Sequence, residues 1–301
     1  MRDITKGIVF SLLTVLLSII TSMIVKTLAQ EIAVIHILFS RFWFSLPILF
    51  IISIYIHKNR LFFINNKLAM SLRVILGLAG ISLWFLAIQN MSLGLATALI
   101  QSSIIFVTLA SPFLLKEKIG VYRWSAVIIG MLGVVIITNP FSNSMNEGVI
   151  YGIAASLVGA ALSITLRKLG KSDSPITVTL VHNVSGAVII LLSMTFIFST
   201  PPYFTYNGSI WALLLLLGVI ASFLQLSVTL AYRYSDAVVV TTLRYLQLPL
   251  AGMAGYIYFT EIPSMMELIG AAAIFISCVV IVWREFVRKT EQSPEEAKLT
   301  L

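Results

Sequence analysis

The chain has 301 residues, of which 59% are hydrophobic and only 11% are charged. A soluble domain carries about 25% charged residues, so this composition excludes a protein whose surface mainly contacts water. The formal net charge of +8 is also typical of nucleic-acid-binding proteins, but in a membrane protein such an excess indicates basic cytoplasmic loops. We therefore expect the lipid bilayer, and no nucleic acid, as the partner of this surface.

Ten apolar runs follow one another along the chain, separated by short polar segments. Their lengths are close to the roughly 20 residues that a spanning helix needs. They are continuous, as expected of helices whose backbone groups pair internally in lipid. The predicted spans are 7–28, 33–56, 69–88, 93–115, 121–137, 149–166, 176–197, 210–230, 237–259 and 266–283. A cleaved signal peptide at 7–28 is disfavoured because its apolar core is long and no A-x-A site follows.

The basic residues predict the orientation of the spans. Sixteen of the twenty lysines and arginines lie on one side if the N-terminus is cytoplasmic, whereas the opposite loops 139–148 and 199–209 contain none. Because cytoplasmic flanks hold the basic excess of membrane proteins, both termini are predicted to be cytoplasmic, in a multi-pass protein of the bacterial inner membrane. The polar segment 285–301 is predicted to be a disordered cytoplasmic tail.

The two halves of the chain resemble each other. Residues 87–137 align without a gap with residues 231–281, at a constant offset of 144 positions. Since each half holds five predicted spans, an odd number, the second half enters the membrane from the opposite side, as in many secondary transporters. The predicted fold is an all-α membrane protein with ten transmembrane helices in two inverted five-helix repeats, 1–140 and 141–284, followed by the tail 285–301.

Three segments carry a resemblance to a known family. They are SRFWFSLPILF from Ser40, LLKEKIGVYRWSAVIIGMLGVVIITNP from Leu114 and YFTEIPSMMELIGAAAI from Tyr258. These segments resemble those of EamA-type members of the drug/metabolite transporter superfamily. The resemblance covers nearly the whole chain. The resemblance implies ten helices in two inverted repeats. The run LRYLQLPLAGMAGYIYFTEIP from Leu243 looks closest to the branch that includes S-adenosylmethionine uptake carriers and some vitamin carriers.

Four basic residues lie inside the predicted spans, where a charge is costly enough to suggest a function. Lys26 and Arg73 are near helix ends, so their side chains are expected to snorkel to the interface. Arg41 is about 12 Å deep at 1.5 Å per residue, and a packing role and a substrate role are equally open. For Arg244 a substrate role is favoured, because the guanidinium fork fits a carboxylate or phosphate.

Other polar and aromatic side chains lie at similar depth. Each one alone is more typical of an interhelical hydrogen bond than of a ligand contact, but together they predict a polar cavity lined by both halves. The substrate-binding candidates are Arg244, Gln247, Tyr245, Arg41, Gln101, Trp84, His182, Asn183 and Gln225. Candidate kinks are at Pro47, Pro112 and Pro249, and close helix approach is expected at Gly77, Gly80, Gly252 and Gly255.

The twelve acidic residues all lie at predicted helix ends, in loops or in the tail. This placement argues against proton-coupled export of hydrophobic cationic drugs, which needs a buried carboxylate. Glu117 and Glu261 occupy matching turns of the two halves and are expected to accept backbone N–H bonds near a helix start, which is a structural role.

No metal, cofactor or catalytic site is expected. The single cysteine, Cys278, and three scattered histidines give no metal-ligand spacing, and no HExxH, P-loop or GxSxG pattern occurs. The leading hypothesis is a secondary transporter, monomeric or homodimeric. It would move a small amino-acid-like or nucleoside-like metabolite, such as S-adenosylmethionine, by alternating access. An efflux carrier for amino acids or toxic metabolites and a non-transporting receptor or scaffold are the alternatives.

Overall fold

The structure is a computed structural model that describes residues 4–57, 61–114, 121–138, 146–196, 206–234, 240 and 243–299. Regular structure in this part of the chain is helical throughout. The helices are α1 (Ile4–Leu28), α2 (Val34–His57), α3 (Lys67–Asn90), α4 (Leu93–Gln101), α5 (Ser103–Leu114), α6 (Val121–Thr138), α7 (Glu147–Ser172), α8 (Pro175–Phe196), α9 (Gly208–Tyr234), α10 (Gln247–Phe259) and α11 (Met265–Leu299).

The helices match the predicted spans. Seven helical segments of the described chain are long and apolar enough to cross a membrane, and α6 and the first part of α11 contain shorter apolar helices. With α10, which occupies the second half of predicted span 9, they account for all ten spans. Many leucine and isoleucine side chains on the outer faces, among them Ile51 and Ile75, are exposed, as expected of helices that face lipid. The all-α membrane fold is confirmed.

The predicted disorder of the C-terminal tail is wrong for residues 285–299, because α11 continues to Leu299. Seven of its fifteen residues are Glu, Lys or Arg, which have high intrinsic helix propensity. Low hydrophobicity, on which the prediction rested, excludes a packed core but not a helix.

Span 4, predicted as one helix over 93–115, is divided into α4 and α5 at Ser102. The Ser102 hydroxyl donates to the Leu99 carbonyl at 2.5 Å. The Ile105 N–H bonds to the Ser102 carbonyl, three residues back instead of four. A serine that bonds its own helix backbone competes with regular helix hydrogen bonding. The interruption of this span therefore lies at Ser102, and the kink predicted at Pro112 stays a prediction.

Span 9 is interrupted at the position that the repeat matches to Ser102. The backbone turns at Tyr245 and Leu246, and α10 begins directly afterwards. Leu246 lies 144 positions after Ser102. Because Pro249 has no N–H to donate to the Tyr245 carbonyl four residues back, the break lies where Pro249 weakens the helix. The interruption lies one turn before Pro249, so the prediction of one continuous helix for this span is wrong.

Helices α6 and α11 contact each other through matching residues. A Cβ atom on Gly133 would lie 2.7 Å from the Gly270 carbonyl oxygen, and the Ser277 hydroxyl donates to the Ala126 carbonyl at 2.5 Å. The offset of 144 relates Ala126 to Gly270 and Gly133 to Ser277, so these are two copies of one contact. Equivalent helices of the two predicted halves therefore pack around a local pseudo-twofold axis.

The remaining helices follow the same relation. Helix α3 packs along α7, and its repeat counterpart α9 packs along α1. Helix α2 packs against its own counterpart α8, and α4, in span 4, packs against α10, in the counterpart span 9. Spans that contact their own counterparts lie beside the axis, and these are the spans of α2 and α8, of α4 and α10, and of α6 and α11. Carriers built from inverted repeats bind substrate in this region.

The loop between α2 and α3 is tied to the end of α7. The Asp173 carboxylate accepts the backbone N–H groups of Asn65 at 2.6 Å and Asn66 at 3.3 Å, and the Ser172 hydroxyl at 2.6 Å. Burial acts to raise the pKa of Asp173, but these hydrogen bonds outweigh it and hold the pKa below its usual value. The contact fixes the position of the first turn of α3.

Candidate substrate site

At each helix break, a backbone carbonyl accepts a hydrogen bond from a side chain of a neighbouring helix. The Gln101 side-chain amide donates to the Arg244 carbonyl at 3.1 Å, and the Cys278 thiol donates to the Gln101 carbonyl at 3.6 Å. A buried carbonyl without a partner is costly, so these bonds stabilise the two breaks. Gln101 thus connects span 4 to span 9 at the centre of the molecule.

Arg244 lies at the break of span 9 and is partly buried. Its Nε atom is buried without a hydrogen-bond partner among the described residues. Within that part of the chain, no carboxylate forms an ion pair with it. A guanidinium group with free donors in a membrane interior is suited to binding an anion.

Tyr245 and Gln247 are more enclosed than Arg244. Tyr245 is only 2% exposed, its ring meets Phe275 edge-on at a centroid distance of 6.5 Å, and its hydroxyl lies near the Cys278 thiol. Its ring is therefore covered by protein. Gln247 is buried and is the first residue of α10. That Gln247 shares a helix face with Arg244, three residues before it, stays a prediction.

A second polar group lies between α2, α3 and α8. It consists of Arg41, Arg73 and His182, which we call the basic cluster; their exposed fractions are 3%, 8% and 2%. The three groups are close enough for Arg73 to act electrostatically on Arg41, and for both arginines to act on His182. The structure therefore brings Arg41 and His182 together and adds Arg73 to them.

The snorkelling predicted for Arg73 is wrong. Its Nη1 atom lies against Gly77, one helical turn further from the Lys67 end of α3, so the side chain runs towards the membrane interior. A Cβ atom on Gly77 would also lie 2.7 Å from Cε1 of His182. The glycine makes room for both side chains. The sequence signal for this arrangement is a glycine four residues after an arginine, on the same helix face.

Asn183 belongs to a hydrogen-bonded bridge between helices. The Ser45 hydroxyl donates to Asn183 Oδ1 at 3.1 Å, and Asn183 Nδ2 donates to the Thr179 carbonyl at 2.8 Å. The Ser222 hydroxyl donates to the Ser45 carbonyl at 3.2 Å. These bonds join α2, α8 and α9 and are typical of interhelical packing in membranes.

Trp84 in α3 and Gln225 in α9 are partly buried. The Trp84 ring is tilted against Phe85 at 5.6 Å, and its Nε1 atom is buried without a partner among the described residues. In the same part of the chain, no hydrogen bond or ring contact joins Trp84 or Gln225 to Arg244 or to the basic cluster. The structure therefore places them in the bundle but does not group them with the other candidates.

Lys26 and Glu261 form an ion pair where α1 ends and α4 begins. The Lys26 ammonium also donates to the Met91 carbonyl at 2.7 Å. The other Glu261 oxygen accepts the N–H of Leu93, the first residue of α4, at 2.8 Å. The Lys26 ammonium is thus bonded within the protein at the helix ends, and Glu261 accepts a backbone N–H at a helix start, as predicted. Glu117, its repeat counterpart, lies outside the described residues.

A cavity of about 400 Å³ opens beside this ion pair, at the ends of α4, α6 and α10. Neither Arg244 nor the basic cluster lines it. It is lined by Met91, Ser92, Leu95, Ile137, Thr138, Asn146, Val149, Glu261, Ile262, Pro263 and Glu267. In the described chain, no group of three or more His, Cys, Asp or Glu side chains is placed to hold a metal ion.

A ten-span bundle with matching helix breaks beside its axis defines a multi-pass membrane protein of the carrier class. The model of the EamA-like transporter family matches the chain twice, at residues 5–139 and 146–283. The chain belongs to the EamA-like transporter family. The family and the relatives below are named as transporters, not as enzymes.

Three relatives illustrate the range of the family. A riboflavin transporter of Vibrio cholerae serotype O1 is 31% identical over 70% of each chain. An S-adenosylmethionine uptake transporter of Rickettsia prowazekii is 26% identical over 99% of each chain. A pseudopaline exporter of Pseudomonas aeruginosa is 24% identical over 69% of this chain and 72% of its own. A solved crystal structure shares the fold with a TM-score of 0.64, at 14% identity, over 93% of this chain and 99% of that one.

Proposed function

We propose that this transporter moves a small organic metabolite bearing a carboxylate or phosphate group across the bacterial inner membrane, as a monomer or homodimer. The moving parts are two inverted halves, 1–140 and 141–284, which alternate in exposing a central site to either side. Both termini, including the tail 285–301, are cytoplasmic. The basic distribution along the sequence supports this orientation.

The observation that carries the proposal is the pair of helix breaks. Spans 4 and 9 are interrupted at repeat-matched positions beside the axis and are joined there by the bond from Gln101 to the Arg244 carbonyl. Interrupted helices at matching positions of two halves are the usual sites of substrate binding in inverted-repeat carriers. Arg244 supplies a partly buried cation at this point, with no carboxylate partner in the described chain.

The charge of Arg244 favours an anionic group on the substrate. Riboflavin, named for one relative, has no carboxylate or phosphate. S-adenosylmethionine, named for the relative that matches the full chain, has an amino-acid carboxylate and a planar adenine. Among the substrates named for these two relatives, S-adenosylmethionine therefore fits the site better.

Export is the second candidate, because one relative is named as an exporter. The same alternating site serves either direction, and the gradients across the membrane decide which one prevails. The substrate class is the same in both cases. A receptor or scaffold role predicts no flux at all.

The proposal is tested by uptake of radiolabelled metabolites into proteoliposomes that contain the purified full chain. The panel comprises S-adenosylmethionine, riboflavin and several amino acids. We expect saturable uptake of S-adenosylmethionine or another carboxylate-bearing compound, and none in protein-free liposomes. Uptake of riboflavin alone would show that the substrate's anionic group is not required, and no uptake of any compound in either direction would contradict the transport function.

A further inference from the structure

The basic cluster is an unusual feature for the interior of a membrane protein. Nε and Nη1 of Arg41, Nε and Nη1 of Arg73, and Nδ1 of His182 are all buried without a hydrogen-bond partner among the described residues. No carboxylate of that part of the chain pairs with any of the three. The structure therefore buries at least two positive charges, and five polar atoms, without neutralising them.

A purely structural role does not account for these atoms. An arginine that fixes helix packing donates its N–H groups to helix carbonyls, whereas these four guanidinium nitrogens donate to none in the described chain. Like charges that lie close together in a low-dielectric interior repel each other. Water molecules would accept the hydrogen bonds but would leave the charge unbalanced. An oxyanion would accept the hydrogen bonds and also balance the charge.

Neighbouring residues hold the side chains of the cluster in place. The Arg41 guanidinium carbon lies 4.9 Å from the centre of the Phe42 ring, and the same ring meets His182 edge-on at 5.6 Å. A Cβ atom at Gly186 would lie 2.7 Å from the Phe42 ring, so a glycine there allows the ring to occupy this position. The absence of a Cβ atom at Gly77 likewise makes room for the side chains of Arg73 and His182. Pre-positioned donors lower the entropic cost of binding.

We propose that Arg41, Arg73 and His182 form an oxyanion-binding site that takes a carboxylate or phosphate group between α2, α3 and α8. The planar guanidinium groups offer paired N–H donors that match two oxygens of such a group. The site contains residues from both predicted halves and lies beside the axis, as a carrier's ligand site should. As the site of a transported group it rests on the proposed function; as an anion site it does not.

The bound oxyanion has two sources. It is either a second anionic group of the transported metabolite or a separate inorganic anion that binds with it. Competition distinguishes them, because a metabolite that displaces phosphate from the cluster places its own group there, whereas one that binds together with phosphate does not.

The experiment measures anion-induced thermal stabilisation of the detergent-purified full chain. The probes are sodium phosphate and sodium succinate, with sodium chloride at equal ionic strength as the reference. We expect phosphate or succinate to raise the Tm of the parent protein by several degrees above chloride, and Arg73→Gln to weaken this binding at least about tenfold. Lys67→Gln, which removes an exposed charge from the same helix, should keep the response.

The ligand-free proteins give a second readout. Removing an unbalanced buried charge should leave the Tm of Arg73→Gln equal to or above that of the parent, whereas a packing role would lower it. Gly77→Ala keeps every charge but places a methyl group against Arg73 and His182, so it should also lose the anion response. Gly80→Ala, whose Cβ would lie 3.4 Å from Val158, should retain it.

Three results would overturn the site. They are no stabilisation of the parent beyond chloride, an unchanged response in both Arg73→Gln and Gly77→Ala, or a lower ligand-free Tm for Arg73→Gln but not for Lys67→Gln. None of these depends on flux, so failure of the anion site is distinguished from failure of transport in proteoliposomes.

Discussion

Arg244 is the residue whose role is most open to a direct test. Arg244→Lys keeps the positive charge and the backbone carbonyl that Gln101 bonds, but it loses the planar fork that matches a carboxylate. We expect this variant to fold and to bind the transported metabolite at least about tenfold more weakly, or roughly 1.4 kcal/mol. Calorimetry or ligand-induced thermal shift in detergent measures the change.

Two further variants define what the Arg244 result means. Gln247→Ala, at the start of α10, should weaken binding less than Arg244→Lys. Arg284→Lys, which alters an arginine stacked on Tyr122 at 5.1 Å, should not change it. If Arg244→Lys binds as tightly as the parent, or if it fails to fold, the residue has a packing role instead.

Glu261 should affect stability and not substrate choice. Glu261→Gln removes the charge that balances Lys26, whose side chain is 12% exposed, and weakens the bond to the Leu93 N–H. We expect a loss of about 2 kcal/mol, seen as a Tm several degrees lower, with an unchanged order of preference among substrates. A changed preference at normal stability would show that Glu261 contacts the ligand.

Glu267, in the first turn of α11, provides the matched control. It is partly buried and accepts the Ser264 N–H at 2.7 Å, a bond that a glutamine side chain also accepts. Glu267→Gln should therefore change stability by less than about 0.5 kcal/mol.

At the scale of elements, the contact between α6 and α11 tests the packing of matching helices. Gly133→Ala would place a Cβ atom 2.7 Å from the Gly270 carbonyl oxygen and 2.9 Å from Cβ of Ala273. Since both neighbours belong to the facing helix, we expect a loss of roughly 1–3 kcal/mol from overpacking. Thermal unfolding in detergent measures it.

Gly252→Ala is the comparison for this change, because a Cβ atom there would meet no atom within 4 Å. It should be neutral, or stabilising by up to about 1 kcal/mol through helix propensity. Equal effects of the two substitutions would contradict the tight contact between α6 and α11.

The sequence predicted which elements exist better than where they break. A run of apolar residues indicates burial in lipid, so most span ends in the described chain were predicted to within four residues, whereas α7 continues six residues beyond its predicted end. Ser102 was not recognisable as a break, because a serine in a spanning helix more often bonds its own backbone without interrupting it. Pro249 was recognisable, since proline removes a helix hydrogen bond in any context.

The candidate site was predicted in part for a similar reason. Depth along the helix identified Arg41 and Arg244 as unable to reach water easily. Depth did not predict the direction of the Arg73 side chain. At six residues from a helix end the side chain can run either way, and the space over Gly77 decides the direction. The link between Gln101 and the Arg244 carbonyl depends on both helix breaks and was not visible in a linear pattern.

At the scale of the whole molecule, orientation is tested by cysteine labelling. The native Cys278 is buried and should not react. Asn207→Cys, in the loop before α9, should be modified in intact cells by a membrane-impermeant maleimide. Phe63→Cys, in the loop before α3, should react only after the membrane is opened. The reverse pattern would contradict cytoplasmic termini.

The central claim, a carrier with one site that alternates between the two sides, is tested most directly by counterflow. Proteoliposomes are loaded with an excess of the unlabelled metabolite and diluted into a trace of the labelled compound. A carrier accumulates label transiently above its outside concentration, because the returning site exchanges one molecule for the other. We predict this overshoot for the parent protein and a smaller one for Arg244→Lys. Label that only equilibrates, at a rate independent of the internal metabolite, would contradict the account.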